Sequence, residues 1–349
     1  MPLAAAPPTI AVKLLVVWLT TRCQLRCRYC YMSAGDMALV DLDEQTFRLA
    51  ADKLGLGAGA EVQIAGGEPL LVPQLVDAVA THARRLGVTR IGVQTNGIGI
   101  DDAFVALVKR HGLAVGVSLD GPPTVNDRVR GRSAEVLRGL AKLEAASIPF
   151  GVTAVVCRET VDSLPELGLL LAGFAQARSL GLDIVRPAGR ATDDDLPTPA
   201  ALRQAFASLA GRLAWANQRR RHPLKLRELA AAGCGGTAYC PSEFGLGAAL
   251  TADGDLYPCA SLVGRPEYQC GSADAPDLAR LARGLPSDQS SCGGCAVTHC
   301  AGRCPALALL SPQACRLDCA LRIVASRLNA ETPSGRIEVR RSVMKGRKE

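Results

Sequence analysis

The sequence predicts an α/β fold built on a parallel sheet, followed by a cysteine-rich unit of different texture. Three observations predict it. From about residue 11 to 190, short β-type runs alternate with helical ones in six repeats. The chemically unusual residues fall directly after the strands, where ligands collect in parallel sheets. Ten of the fourteen cysteines lie between 234 and 319, among Gly, Pro and short apolar pieces, which reads as a ligand-stapled unit with little core of its own.

The elements follow in order. "VKLLVVWL" is almost continuously apolar, as a strand buried on both faces should be. "DEQTFRLAADKL" puts Phe47, Ala50, Ala51 and Leu54 on one helical face. "EVQIAG" is a strand, and "PQLVDAVATHARRLG" a helix with Pro at its start and Gly87 past its end. "TRIGVQT" and "LAVGVSL" are strands flanking the helix "DDAFVALVKRHG", whose Phe104, Leu107, Val108 and His111 share a face. The helix "SAEVLRGLAKLEAA", the strand "FGVTAVV", a helix through "LPELGLLLAGFAQARSLG" and the strand "LDIVRP" complete the repeats. A linker, "GRATDDDLPTP", leads to a helix near 199 to 221. The expected organisation is a sheet unit at 11–195, a linker helix at 196–230, a cysteine-rich unit at 231–330 and a basic tail at 331–349.

Composition narrows the function. With 349 residues and 48% hydrophobic content, the chain can bury a sizeable core. The formal charge of +7 is concentrated in "QRRRHPLKLR" and "RRSVMKGRKE", read as a solvated helix face and a tail. Aromatics are 4%, too few for a nucleic-acid stacking platform, so no nucleic-acid partner is expected. "MPLAAAPPTI" lacks the features of an export signal, and the longest apolar runs are too short to span a bilayer. The expectation is a cytoplasmic protein without a membrane partner. In such a long chain, fourteen cysteines point to thiolate ligation of metal rather than a disulfide frame.

"CQLRCRYC" places Cys23, Cys27 and Cys30 on one loop after the first strand. Three thiolates do not close a tetrahedral zinc site, and neither His nor Cys stands nearby to supply a fourth ligand. On a four-iron cluster, three thiolates leave one iron open. Cys-x3-Cys-x-Tyr-Cys after a first β-strand, in a six-fold β/α repeat, resembles the radical S-adenosylmethionine (SAM) enzymes. "GGEPL" after the second strand, "QTNG" after the third and "SLDGPPTVNDRVRG" after the fourth resemble further motifs of that family.

The resemblance implies a partial (β/α)6 TIM-type barrel. It implies that Cys23, Cys27 and Cys30 hold a SAM-binding [4Fe-4S] cluster. Gly66, Gly67, Glu68 and Pro69 would hold the SAM amino group through backbone carbonyls and the Glu68 side chain. Tyr29 would lie against adenine and Ser118 at the ribose or methionine end, with Asn96 and Asp120 in the matching motifs. Arg130, a looser match, would pair with the SAM carboxylate.

The C-terminal pattern, Cys234-x5-Cys240, then Gly254 and Cys259, then Cys292-x2-Cys295-x4-Cys300-x3-Cys304, then Cys315 and Cys319, resembles the SPASM domain of peptide-modifying members. One departure is visible: four residues precede Cys300 where the family has five. By resemblance, Cys234, Cys240, Cys259 and Cys304 hold one auxiliary [4Fe-4S] cluster. Cys292, Cys295, Cys300 and either Cys319, which is preferred, or Cys315 hold a second, giving three clusters in all. On spacing alone the alternative is a pair of zinc knuckles, since four thiolates suit both metals. Cys157 and Cys270 read as small buried residues, His82 and His111 as structural, and His299 is not promoted to a ligand.

The implied reaction is reductive cleavage of SAM to a 5′-deoxyadenosyl radical, hydrogen abstraction, and cross-linking or oxidation of a ribosomally made precursor peptide. An electron donor such as flavodoxin or ferredoxin is implied. The chain starts at the first strand, without room for the N-terminal winged-helix domain of many such enzymes, so a separate peptide-recognition protein or direct binding is expected. Sulfatase-maturing relatives carry Asp after the Cys matching Cys259, where this chain has Ala260, so that activity ranks low. A tetrapyrrole decarboxylase of the haem pathway is the alternative, with Arg186, Arg190 and Arg220 as candidate partners for propionates. A non-catalytic metal-binding module is the third reading.

Overall fold

The computed structural model describes residues 11–36, 38–232, 240–286, 295, 297, 300 and 302–331. The repeat pattern becomes one sheet. Its strands are β1 (Leu14–Trp18), β2 (Glu61–Ala65), β3 (Arg90–Thr95), β4 (Ala114–Ser118), β5 (Phe150–Val156), β6 (Ala177–Ile184), β7 (Lys225–Leu226), β8 (Gly247–Leu250) and β9 (Leu256–Tyr257). Their order is β7-β6-β5-β4-β3-β2-β1-β8-β9, all neighbours parallel except β8 and β9. The two ends are different strands, so the sheet is an open, partial barrel.

The helices are α1 (Glu44–Lys53), α2 (Pro73–Arg85), α3 (Asp102–His111), α4 (Pro123–Val129), α5 (Ser133–Ala145), α6 (Leu164–Ala172), α7 (Pro199–Asn217), α8 (Arg227–Ala232), α9 (Leu278–Ala282), α10 (Pro305–Leu310) and α11 (Pro312–Glu331). Local chemistry sets their ends. Asp43 and Asp101 cap α1 and α3 by accepting from Thr46 and Phe104 N–H groups, and Gly112 closes α3 in the left-handed region at φ 59°. The apolar face predicted for α1 is buried: Phe47, Ala50 and Ala51 are fully covered. His82 meets the Phe47 ring edge-on, and His111 Nε2 bonds Asp77 (2.6 Å), tying α3 to α2.

Two helix ends differ from the sequence expectation, and two segments gain a defined place. The helix read through residue 181 stops at Ala172, and β6 starts at Ala177, because five of the eight β6 residues are buried and pair with β5. The helix read to 221 ends at Asn217, whose side chain accepts from Leu224 N–H (2.8 Å) and donates to Leu224 O (3.0 Å), closing a turn. The segment 123–129, read as part of a motif, forms α4. The segment read as a linker helix packs as α7 against α6 and α11, burying Leu202, Phe206, Leu209 and Leu213. Each such side chain contributes about 1.5–3 kcal/mol.

The C-terminal region also adds a strand to the barrel. β8 pairs in parallel with β1 from Leu14↔Gly247 to Val17↔Leu250. Leu250, Leu256, Leu262, Leu281, Leu307 and Leu321 share one apolar cluster with the barrel core.

Candidate active site

The loop after β1 carries Cys23, Cys27 and Cys30 and is pinned along its length. Thr20 Oγ1 donates to Asp41 (2.6 Å), Thr21 Oγ1 to Ala38 O (2.6 Å), and the Arg22 guanidinium closes on Asp41. The "GGEP" loop after β2 lies directly on it. Gly67 N–H donates to Thr20 O (2.7 Å) and Glu68 N–H to Arg22 O (2.9 Å). Gly66 has φ 132°, where a Cβ would come 2.7 Å from Thr20 O, and a Cβ on Gly67 would overlap the Arg22 carbonyl. Only glycine permits this contact.

The Glu68 carboxylate is buried and takes three donors: Leu70 N–H (2.9 Å), Thr95 Oγ1 (2.7 Å) and Asn96 N–H (2.7 Å). Burial pushes its pKa up, against those bonds. The side chain thus ties the end of β2 to the end of β3.

Above these loops lies a cavity of about 390 Å³. Of the residues expected there, Cys23, Cys27, Cys30, Tyr29, Gly66, Gly67, Asn96, Ser118 and Arg130 line it. Glu68, Pro69 and Asp120 stand behind that lining. Pro69 is buried at the start of a short turn. Asp120 is fully buried behind the wall, accepting from Val155 N–H (2.8 Å) and from Arg130 Nε (2.8 Å).

Arg130 reaches Cys27 Sγ (3.7 Å) and stacks over the Tyr29 ring (5.4 Å to its centre). Burial opposes charge on both Asp120 and Arg130. On Arg130, Asp120 and then Cys27 outweigh it and hold the guanidinium above its ordinary pKa, while burial pushes Asp120 up against the Arg130 charge. Burial pushes Cys23 up to about 11 and raises Cys27 as well, the latter eased first by Arg130.

Sequence reasoning missed a polar layer on the inner face of the sheet. Gln63, Gln94, Thr153, Asp183 and Arg227 line the cavity with Ser118. In register, Gln63 stands opposite Gly92, Gln94 opposite Gly116 and Thr153 opposite Gly181. The Gln63 and Gln94 side chains lie over Gly92 and Gly116, while Arg227, which donates to Thr153 Oγ1 (3.0 Å), lies over Gly181. A glycine inside a strand next to a polar neighbour was the available signal.

Three polar atoms of cavity residues are buried without a protein partner: Tyr29 Oη, Arg186 Nε and Arg190 Nη2. Such atoms call for a ligand.

Comparison with known proteins fits this geometry. Residues 18–171 match the family model of the radical SAM superfamily. The chain carries a radical SAM domain. It is 29% identical over 361 residues to a serine-type anaerobic sulfatase-maturating enzyme of Klebsiella aerogenes, covering 88% of this chain and 83% of that one. It is 33% identical over 165 residues to the Fe-coproporphyrin III synthase of Methanosarcina barkeri, covering 46% and 41%. Against several other curated relatives the chain spans 37% to 64% of their length. In fold, Streptococcus suis SuiB bound to S-adenosylmethionine superposes with a TM-score of 0.64 at 16% identity, over 87% of this chain and 75% of that one.

Behind the radical SAM domain, later cysteines gather. Cys240 and Cys259 each precede a short 3-10 turn, and Cys304 caps α10, its Sγ accepting from Leu307 N–H (3.4 Å). Cys259 bears electrostatically on both Cys240 and Cys304, and Arg186 on Cys259 and Cys304. Burial pushes Cys304 up to about 12, against Arg186. On α11, Cys315 and Cys319 share a hydrogen bond, which pulls Cys315 down to about 7 and pushes Cys319 up. Cys295 and Cys300 are exposed, while Cys234, Cys292 and His299 lie outside the described residues. Cys157 and Cys270 are buried; Cys157 Sγ accepts from Thr160 Oγ1 (3.5 Å) and Cys270 Sγ donates to Tyr268 O (3.5 Å). Among the described residues, no three His, Cys, Asp or Glu side chains are grouped to chelate a single ion; thiolates of a four-iron cluster stand on separate irons. No described helix is long and apolar enough to cross a membrane.

Proposed function

We propose that this chain is a radical SAM enzyme that modifies a ribosomally made peptide. The observation that carries the reading is the contact of the cysteine loop with the glycine pair at the mouth of one cavity lined by all three thiols. Cys23, Cys27 and Cys30 would hold a [4Fe-4S] cluster, and Gly66, Gly67, Tyr29, Asn96, Ser118 and Arg130 would line the place for SAM. Bound there, a reduced cluster and SAM would together supply the chemistry of hydrogen-atom abstraction from the substrate.

The protein's own part is to orient and enclose. Arg130, held by Asp120, brings a fixed positive charge to Cys27. Glu68 locks the β2 and β3 loops together, and with Gly66, Gly67 and Pro69 it would hold the SAM amino group. Cys240, Cys259 and Cys304, with Cys234, would hold one auxiliary cluster. Cys292, Cys295, Cys300 and Cys319 or Cys315 would hold the other. The proposed division is a catalytic unit at 11–195 and a cluster-bearing unit at 231–330, joined through 196–230. A flavodoxin or ferredoxin would supply electrons. A separate peptide-binding protein is a further candidate partner.

Peptide modification is favoured because the match to the sulfatase-maturating relative continues through the C-terminal half. Ala260 still argues against sulfatase maturation itself. The similarity to the coproporphyrin synthase supports tetrapyrrole chemistry as a second reading. One of its expected propionate partners is committed elsewhere, Arg220 to Ala172 and Ala177 O.

The test is anaerobic reconstitution. The protein should turn brown, take up about twelve irons and cleave SAM when reduced. A colourless zinc protein without SAM cleavage would refute both enzyme readings. Precursor peptide genes beside this one would support the first reading, and haem-pathway neighbours the second.

A further inference from the structure

Beyond β6 the chain turns back under the cysteine loop. Gly189 has φ 60°, and a Cβ there would come 2.6 Å from Tyr31 O and overlap Cys30 O. This approach delivers Arg190. Its backbone N–H donates to Cys30 O (3.0 Å), its Nε to Cys27 O (2.9 Å) and its Nη1 to Ala34 O (3.3 Å), and it forms an ion pair with Asp36. One residue, more than 150 positions away in sequence, therefore fixes the backbone at two of the three cysteines. One nitrogen is left over. Nη2 is buried, has no protein partner, and belongs to a side chain that lines the cavity.

We propose that Arg190 is a positioning residue for the N-terminal cluster: it clamps the cysteine loop and donates its free Nη2 to the sulfur of the cluster that Cys23, Cys27 and Cys30 hold. The proposal rests on the radical SAM reading of the cavity. A buried charged donor needs an acceptor. Hydrogen bonds and positive charge at cluster sulfur stabilise the reduced form and raise its potential. Arg130 serves the same loop from the end of α4, but it is already committed to Asp120.

The test uses the full chain, reconstituted anaerobically with iron and sulfide, as wild type, Arg190→Gln and Arg190→Lys. The N-terminal cluster is identified as the electron paramagnetic resonance signal missing from a Cys23→Ala, Cys27→Ala, Cys30→Ala variant. Its midpoint potential is then titrated before SAM is added. Arg190→Gln should shift the potential to more negative values and lose the SAM-dependent change in spectrum, and Arg190→Lys should restore part of the shift. A wild-type potential in Arg190→Gln overturns the proposal, including the case where only the SAM-bound spectrum changes. Should both variants take up no N-terminal iron, a metal-free melting point like that of wild type supports the clamp. A collapsed melting point would instead make Arg190 a general strut and overturn it. If wild type itself loads no iron on these cysteines, the radical SAM reading fails, a result separate from all of these.

Discussion

Gly67 packs so closely on Arg22 that a single methyl group would overlap the Arg22 carbonyl, one residue before Cys23. The two loops meet backbone to backbone, so neither can yield by rotating a side chain. Gly67→Ala is therefore expected to cost about 1–3 kcal/mol, the range for overpacking. It should also weaken SAM binding, because the cysteine loop must move to admit the methyl. Gly211 is the control: it lies within α7 with nothing near its Cβ position. Gly211→Ala should stabilise by about 0.5–1 kcal/mol. Urea unfolding of the metal-free chains and equilibrium dialysis with SAM test both; Gly67→Ala with wild-type affinity would contradict the role given to the contact.

Asp120 and Arg130 form a covered ion pair at 2.8 Å, with Asp120 fully buried. Removing one partner of such a pair leaves the other charge unpaired, at a cost of about 3–5 kcal/mol. Asp120→Ala should therefore destabilise strongly although its carboxylate does not line the cavity. The double change Asp120→Ala, Arg130→Met should recover part of that stability but none of the SAM binding. Chemical unfolding of the single and double variants decides it. Equal stabilities for Asp120→Ala and wild type would mean that the pair is not charged in the folded protein.

Cysteines should separate by location. Changing Cys23, Cys27 and Cys30 to Ala together should abolish 5′-deoxyadenosine formation while iron at the later cysteines stays. Cys157→Ala and Cys270→Ala should keep full iron and activity, each costing about 1 kcal/mol for a small cavity. Iron analysis and product chromatography give the answer, and SAM cleavage by the triple variant would sink the assignment.

How much of this was legible in the sequence depended on whether a residue's role is local. The strands, the caps at Asp43 and Asp101, and the cysteine and glycine motifs carry their signal within a few residues. Glu68 was legible as a motif residue but not as a link between loops: its partners Thr95 and Asn96 come from the next strand, so only the fold reveals that it joins them. Arg227 was hidden for the same reason, and Arg190 was named only as a candidate propionate partner, because both reach the cavity from segments outside the motifs. The end of α6 was misread because "AQARSLG" suits a helix by propensity, whereas pairing with β5 makes its second half a strand. β8 was missed because "GAAL" has little β-propensity of its own and forms beside β1.

Glu228 links acidity to the cavity wall. It follows Arg227 at the start of α8, and its carboxylate accepts from Leu182 N–H (2.7 Å), while Oε2 is buried without a partner. Burial pushes its pKa up to about 7, against that bond. In an unfolded chain glutamate titrates near ~4.3. The folded protein thus binds this proton more tightly, and the resulting stability is full below about pH 4.3 and lost as pH rises through about 7. Glu228→Gln should flatten the decline of melting temperature across that window and leave the variant more stable than wild type near pH 8. Thermal unfolding of the two proteins from about pH 5 to 8 measures the difference, in which other titrating groups cancel. Parallel curves would mean that Glu228 is ionised throughout and finds solvent. Curves that separate as pH rises would show that the folded protein holds Glu228 protonated, and that losing the proton weakens the fold where the helix presents Arg227 to the cavity.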